Sequence, residues 1–128
     1  MTTRRLFTTL SLLAIAALAS TAQAQTDWPK QSIKLIVPFT AGSGTDIIAR
    51  AVGERLSAAL GQPVVIENKP GAGGTVAANM VAKSTPDGYT LLVHSSGHVV
   101  NPSLYPNLPY DTLKDLSGVT TLASLPNV

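Results

Sequence analysis

The chain has 128 residues, of which 45% are hydrophobic and 12% are charged, and it contains no cysteine. Disulfide bonds are therefore excluded. The nine lysine and arginine residues outnumber the seven acidic residues, but Arg4 and Arg5 belong to a leader-like segment and the other seven basic residues balance the acidic ones. No basic run is present that would indicate a nucleic-acid partner. The composition is typical of an ordinary globular domain.

Residues 1–24 have the features of an export signal. Arg4 and Arg5 precede an apolar stretch at residues 10–18, and a small-x-small cleavage motif follows at residues 22–24. The apolar stretch is short for a bilayer span, which takes ~20 apolar residues. We therefore expect cleavage after Ala24 and a soluble exported chain, with an uncleaved N-terminal anchor as the alternative.

The remaining sequence alternates between strand-like and helix-like patterns. A nearly continuous apolar run at residues 33–39 predicts a strand that is covered on both faces. Residues 46–60 then have a helical apolar face, and Gly61 is a typical helix stop. Strands are predicted at residues 33–39, 64–67, 89–94 and 119–125. Helices are predicted at residues 46–60 and 75–83, a single helical turn at 111–116, and an irregular, proline-broken segment at 101–110.

Strands that alternate with helices predict a parallel sheet joined by crossover helices. The loops at residues 40–45, 70–74 and 95–98 then lie at the carboxyl ends of their strands. Ligands bind at that edge in open α/β sheets. We therefore expect these three loops to form the binding site.

The loop at residues 40–45 is the most informative segment, because it connects a buried strand directly to a helix. Unpaired N–H groups at a helix start, together with the helix dipole, favour an anion such as a carboxylate. The structural alternative is a tight strand-to-helix connection whose glycines serve only steric needs. Ser43 and Asp46 have capping-box spacing, so Asp46 is expected to cap its own helix rather than to bind ligand.

Other chemistries remain as alternatives. Gly42 and Gly44 resemble a dinucleotide fingerprint, and Glu67 lies where a ribose-binding acid would, but Ile47 occupies the third glycine position. His94 and His98 have zinc-ligand spacing, yet at a strand end this spacing is not expected to bring them together. Ser95 or Ser96 with a neighbouring histidine suggests a hydrolase, but no nucleophile-elbow motif and no orienting acid accompany them.

Several segments, in order and spacing, strongly resemble the Bug-type substrate-binding proteins of tripartite tricarboxylate transporters. The resemblance covers the chain beyond the leader. It is carried by Val37-Pro38-Phe39, Gly42-Ser43-Gly44-Thr45-Asp46, the Gly61-Gln62-Pro63 to Pro70-Gly71-Ala72-Gly73-Gly74 block, Pro86-Asp87-Gly88-Tyr89-Thr90-Leu91-Leu92, Asn101-Pro102-Ser103-Leu104-Tyr105, Leu108-Pro109-Tyr110-Asp111 and Lys114-Asp115.

The resemblance implies a periplasmic, monomeric binding protein with a two-lobe, type II-like periplasmic-binding-protein fold, without catalysis, cofactor or metal. It implies a small mono-, di- or tricarboxylate as ligand and membrane permease subunits as partners. The implied ligand-binding residues lie in the three loops. They are Phe39, Ala41, Gly42, Ser43, Gly44, Thr45 and Asp46 in the first, Gly73 and Gly74 in the second, and Ser95, Ser96 and Gly97 in the third.

Two departures from the family pattern affect this interpretation. The first loop reads Thr40-Ala41-Gly42-Ser43 where the family often has Pro-Pro-Gly-Gly, which adds a hydroxyl at the expected carboxylate seat. The chain is also short, since two lobes of ordinary domain size take roughly twice its length. We therefore expect residues 25–128 to form a truncated N-terminal α/β lobe that lacks the second lobe and the returning C-terminal segment. The alternatives are an exported hydrolase-like fragment and a non-functional remnant.

Overall fold

The computed structural model describes residues 28–124, so the predicted export signal lies outside the described residues. A three-stranded parallel sheet forms its centre, with β1 (Ile33–Val37) between β2 (Val64–Asn68) and β3 (Thr90–Leu92). Leu35 pairs with Ile66 on one side and with Leu91 on the other. The predicted parallel sheet is therefore confirmed. Among residues 28–124, none of the helices has the length and apolar character that a membrane span requires.

Strand β1 is buried on both faces because a helix covers each side of the sheet. On one face Ile33, Leu35 and Val37 pack with Ala49 of helix α1 (Gly44–Leu60). On the other face Ile36 packs with helix α2 (Thr75–Ala82) through two of its apolar side chains, those of Ala77 and Val81. The continuous apolar run predicted this double coverage, and both helices lie where the periodicity placed them.

Helix α1 begins and ends at residues with clear local causes. Ser43 is its N-cap, and the Ser43 hydroxyl accepts a hydrogen bond from the Asp46 N–H at 3.3 Å. Gly61 ends the helix in the left-handed conformation, with φ of 66°. The middle of the helix lies very close to the sheet. A Cβ atom on Gly53 would stand only 2.8 Å from the Ile66 side chain.

The C-terminal part of the described chain differs from the prediction in two places. Residues 97–104, expected to be mostly irregular, form helix α3 (Gly97–Leu104). Its Pro102 removes one N–H donor, but the buried Asn101 side chain anchors the helix by donating to the Gly73 carbonyl at 3.2 Å. Residues 111–116 form a single turn, as predicted, which is closed by a hydrogen bond from the Asp115 N–H to the Asp111 carbonyl at 2.9 Å.

The predicted fourth strand is wrong over residues 119–124, which form no strand and are exposed. Their apolar residues suggested a buried strand, but a strand needs a hydrogen-bonding neighbour, and these residues pair with none of the three described strands. The last predicted strand residue, Leu125, lies outside the described residues.

Candidate functional site

The structure brings the first, second and third loops together at the carboxyl edge of the sheet. The Phe39 and His94 rings meet edge to face, with centroids 5.6 Å apart. A Cβ atom on Gly74 would collide with His94 Nε2 and would stand 3.0 Å from the Pro38 side chain. These contacts join Gly74 of the second loop to residues that flank the first and third loops, at the edge where the parallel sheet places all three.

The first loop uses part of its hydrogen-bonding capacity on itself. The Gly42 N–H donates to Asp46 Oδ2 at 2.8 Å, and the Ser43 N–H donates to the Thr40 carbonyl at 3.2 Å. Within the described part of the chain, the N–H groups of Gly44 and Thr45 donate to no protein acceptor. Of the four N–H groups of residues 42–45, two therefore remain free to bind an anion, and both are in the first turn of α1.

Asp46 is buried in a closed polar network, with 2% of its surface exposed. Its Oδ2 also accepts from Arg50 Nε at 2.9 Å, and its Oδ1 accepts from Asn68 Nδ2 at 2.9 Å. The hydrogen bond from Arg50, with those from Gly42 and Asn68, holds the pKa of the Asp46 carboxyl well below its usual range. Asp46 is therefore engaged with protein groups. Its N–H donates to the Ser43 cap as expected, but its carboxylate accepts from the Gly42 N–H and not from the Ser43 N–H that a capping box would supply.

Sequence reasoning identified Asp46 but not its partners. Arg50 follows Asp46 by four residues, so the helical ion-pair spacing could have indicated it. Asn68 is at the end of β2 and reaches Asp46 only because β1 and β2 pair side by side. No local pattern would have found that contact.

The second loop is packed more tightly than its glycine content suggests. Gly74 is buried, and its N–H donates to the Gly71 carbonyl at 2.9 Å, so it serves packing in this structure. Gly73 is exposed, but a Cβ atom there would stand 2.9 Å from the Tyr105 hydroxyl. Its carbonyl already accepts from Asn101.

The third loop leaves its hydroxyl groups unused. Ser95, Ser96 and Gly97 are exposed, and neither serine hydroxyl bonds to a protein group within residues 28–124. Ser96 is the first residue before α3 but does not cap it with its side chain. In the first loop Ala41 is also exposed, whereas Phe39 is half-buried.

The expectation that His94 and His98 stay apart is wrong, since their ring centroids lie 5.0 Å apart. Helix α3 begins at Gly97, within the third loop, and brings His98 back to His94. The Tyr110 ring is parallel to that of His98, with centroids 6.3 Å apart. Burial lowers the pKa of both histidines. No group of three metal-ligating side chains occurs among the described residues, so the pair lacks the further ligands of a zinc site.

The geometry also fails to support the two enzyme-like alternatives. His94 Nδ1 lies 3.0 Å from the Ser95 backbone carbonyl oxygen, which is no nucleophile, rather than from a serine hydroxyl. Glu67, the candidate ribose-binding acid, pairs with Lys34 at 3.3 Å and Lys69 at 3.5 Å. Those lysines lower the pKa of Glu67, with Lys34 the main cause.

Two surface cavities lie away from the three loops. One, of about 590 Å³, lies between α1 and β2 and is lined by Gly53, Ser57 and Ile66 among others. The second, of about 450 Å³, lies near the amino ends of β1 and β3 and is lined by Ser32 and Lys83 among others. The free amides of Gly44 and Thr45 line neither cavity.

Open α/β sheets bind their ligands at the carboxyl edge of the strands, and this chain has uncommitted donors at that edge. Residues 48–128 match the tripartite tricarboxylate transporter family receptor. The chain is 50% identical over 116 residues to a UPF0065 protein of Bordetella bronchiseptica, covering 90% of this chain and 34% of that one. The chain belongs to the tripartite tricarboxylate transporter receptor family.

Solved structures agree with this assignment. The structure of periplasmic binding protein BugD is similar with a TM-score of 0.66 and 42% identity, over 69% of this chain and 29% of that chain. MatC from Rhodopseudomonas palustris, solved with bound malate, has a TM-score of 0.64 and 43% identity, over 69% and 30%. The chain thus spans about a third of the length of the curated relatives it matches.

Proposed function

We propose that residues 25–128 are an α/β lobe of a periplasmic solute-binding protein that captures a small organic acid by its carboxylate. The observation that carries this proposal is the pair of unpaired N–H groups, Gly44 and Thr45, at the start of α1. The free hydroxyls of Ser95 and Ser96 lie at the same edge of the sheet and are further donors. Malate bound to the similar protein MatC supports a carboxylate ligand.

Neutral donors limit the affinity that this lobe can reach by itself. A helix terminus contributes at most about 2 kcal/mol in a favourable, partly buried site. Micromolar binding requires about 8 kcal/mol. The remainder has to come from several hydrogen bonds and from a second lobe closing over the ligand. We therefore expect this chain to bind small dicarboxylates weakly, with a dissociation constant well above the micromolar range.

The remaining parts of the proposal follow from the sequence and the family. Residues 1–24 direct export and are removed after Ala24, and the product is monomeric. The carboxylate is delivered to membrane permease subunits of a tripartite tricarboxylate-type transporter. The protein binds without catalysis, cofactor or nucleic acid. The BugD structure, described as a periplasmic binding protein, supports this location.

A titration with succinate followed by amide NMR tests the carboxylate seat, because it detects weak binding residue by residue. We expect the Gly44 and Thr45 amide signals to shift in a saturable way. Ser43→Asp should abolish these shifts, since aspartate still caps α1 but adds a negative charge beside the seat. Ala58→Asp is the matched control, as it adds the same charge at an exposed position near the other end of α1.

Shifts confined to other residues, or a Ser43→Asp variant that binds succinate as well as the wild type, would contradict the seat. The exported hydrolase is tested on the same samples. Turnover of a simple ester that disappears when Ser95 and Ser96 are both replaced by alanine would favour that alternative.

A further inference from the structure

The polar network behind the first loop poses an electrostatic problem for any anion at that loop. Asp46 follows Gly44 and Thr45 directly in α1, and its Oδ2 accepts from the Gly42 N–H at 2.8 Å, so its charge lies against the first loop. It is ionised, and a negative charge there repels a carboxylate ligand. The Asp46 side chain is itself covered by protein atoms, although Arg50 beside it is half exposed. A seat for anions therefore needs a cation to offset Asp46.

Arg50 is the cation in this network. Its Nε donates to Asp46 Oδ2 at 2.9 Å, and its Nη2 donates to Asn68 Oδ1 at 3.1 Å. Asn68 in turn donates to Asp46 Oδ1 at 2.9 Å and to the Phe39 carbonyl at 3.0 Å. Asp46, Arg50 and Asn68 form a closed ring of hydrogen bonds, and the bond from Asn68 to the Phe39 carbonyl ties that ring to the first loop.

We propose that Arg50 is a positioning residue that sets the preference of the seat for anions, by cancelling the charge of Asp46 behind the Gly44 and Thr45 amides. This inference rests on the proposed function and adds to it the residue that determines charge specificity. Arg50 acts through Asp46 and the loop and does not need to touch the ligand.

The geometry explains why an arginine serves this role better than a lysine. The planar guanidinium directs two different N–H groups at Asp46 and at Asn68, which a single ammonium cannot do with the same fixed geometry. Two lysines of the neighbouring chain are engaged elsewhere, since Lys34 of β1 and Lys69 after β2 both pair with Glu67.

The test compares charge variants of the chain in the succinate titration, with the Gly44 and Thr45 amides as reporters. Arg50→Gln should weaken succinate binding about tenfold, because the negative charge of Asp46 beside the seat is then no longer offset by a cation. Arg50→Lys keeps the charge and should stay within about threefold of the wild type. Arg55→Gln removes the same charge from an exposed position on the same helix and is the matched control.

The double variant Asp46→Asn with Arg50→Gln separates an electrostatic role from a merely structural one. If Arg50 acts by charge, removing both charges restores most of the affinity that Arg50→Gln loses. If Arg50 only holds the fold, the double variant binds no better than the single one. Thermal unfolding of every variant, measured in parallel, shows which of them are folded.

The inference is overturned if Arg50→Gln binds as the wild type does, if it weakens binding no more than Arg55→Gln, or if the double variant gives no recovery. Each of these results leaves the proposed carboxylate seat intact, because wild-type binding at Gly44 and Thr45 is its separate test. Absence of any succinate response at those amides in the wild type overturns the proposed function and this inference with it.

Discussion

Replacement of Gly74 by alanine tests whether the second and third loops really pack against each other. Gly74 has φ of 90°, and an added Cβ atom would meet His94 Nε2 and the Pro38 side chain. The left-handed backbone costs a non-glycine residue about 1–2 kcal/mol. Overpacking against buried neighbours adds about 1–3 kcal/mol. We therefore expect Gly74→Ala to lower the free energy of unfolding by about 3 kcal/mol.

Two glycines of the first loop provide matched controls for the two contributions. Gly42 has nearly the same φ, 84°, but a Cβ atom there would meet nothing within 4 Å. Gly42→Ala should therefore show the backbone cost alone, about 1–2 kcal/mol. Gly44 lies in α1 and is also surrounded by open space, so Gly44→Ala should be neutral or slightly stabilising.

Urea unfolding of the three variants and the wild type measures these differences directly. For a domain of this size, about 1 kcal/mol corresponds to about 4–8 °C in Tm, so thermal unfolding should rank the variants in the same order. If Gly74→Ala costs no more than Gly42→Ala, the close approach of His94 to the second loop is refuted. The convergence of the loops at the candidate site would then lose its main support.

Two further predictions concern the histidine pair and the α1–sheet contact. Burial lowers the pKa of His94 and His98 below the usual 6.5. As the pH falls through 6.5, these histidines therefore bind protons in the unfolded chain before they do so in the folded chain. The free energy of unfolding is then highest above pH 6.5 and declines below it. Urea unfolding at pH 7.5 and at about pH 5.5 should show this loss of stability. A variant with both histidines replaced by glutamine should lose much less stability between the two pH values. An equal loss in that variant would contradict the role of the histidines. Gly53→Ala should cost less than the about 1–3 kcal/mol typical of overpacking, because the group 2.8 Å from its Cβ atom is the terminal methyl of Ile66 and because alanine favours the helix by about 1 kcal/mol. Adding Ile66→Val removes the methyl group that lies closest to the new Cβ atom and should recover part of that loss in the same unfolding assay. If no stability is recovered, the contact with Ile66 is not the cause of the loss.

The sheet and its first two helices could be predicted from sequence because their causes are local. The apolar run of β1, the periodicity of α1, the Ser43 cap and the Gly61 stop each act over a few residues. Parallel pairing then follows from the order of strands and helices. The position of the three loops at one edge needs nothing more than this topology.

The parts of the site that could not be predicted depend on contacts between distant residues. Asn68 reaches Asp46 across 22 positions of sequence, and Asn101 reaches Gly73 across 28. The second contact also anchors α3 at the residue before Pro102, although the proline suggested an irregular segment. His98 meets His94 because that helix forms. Sequence spacing alone carries no information on these long-range contacts.

The proposed seat consists of neutral donors beside an ion pair whose charges cancel, an arrangement that we expect to hold a carboxylate reversibly. An arginine in direct contact with the ligand would provide stronger attraction, because a guanidinium forms charge-assisted and often bidentate hydrogen bonds with an oxyanion. In the proposed arrangement Arg50 is paired with Asp46 and Asn68, and recognition falls to Gly44, Thr45 and the serine hydroxyls. Each such donor contributes little by itself, about 0.5–1.5 kcal/mol for a typical hydrogen bond. Tight binding then depends on many donors acting together. In the proposed arrangement, moving the second lobe away from this one is therefore sufficient to release the ligand.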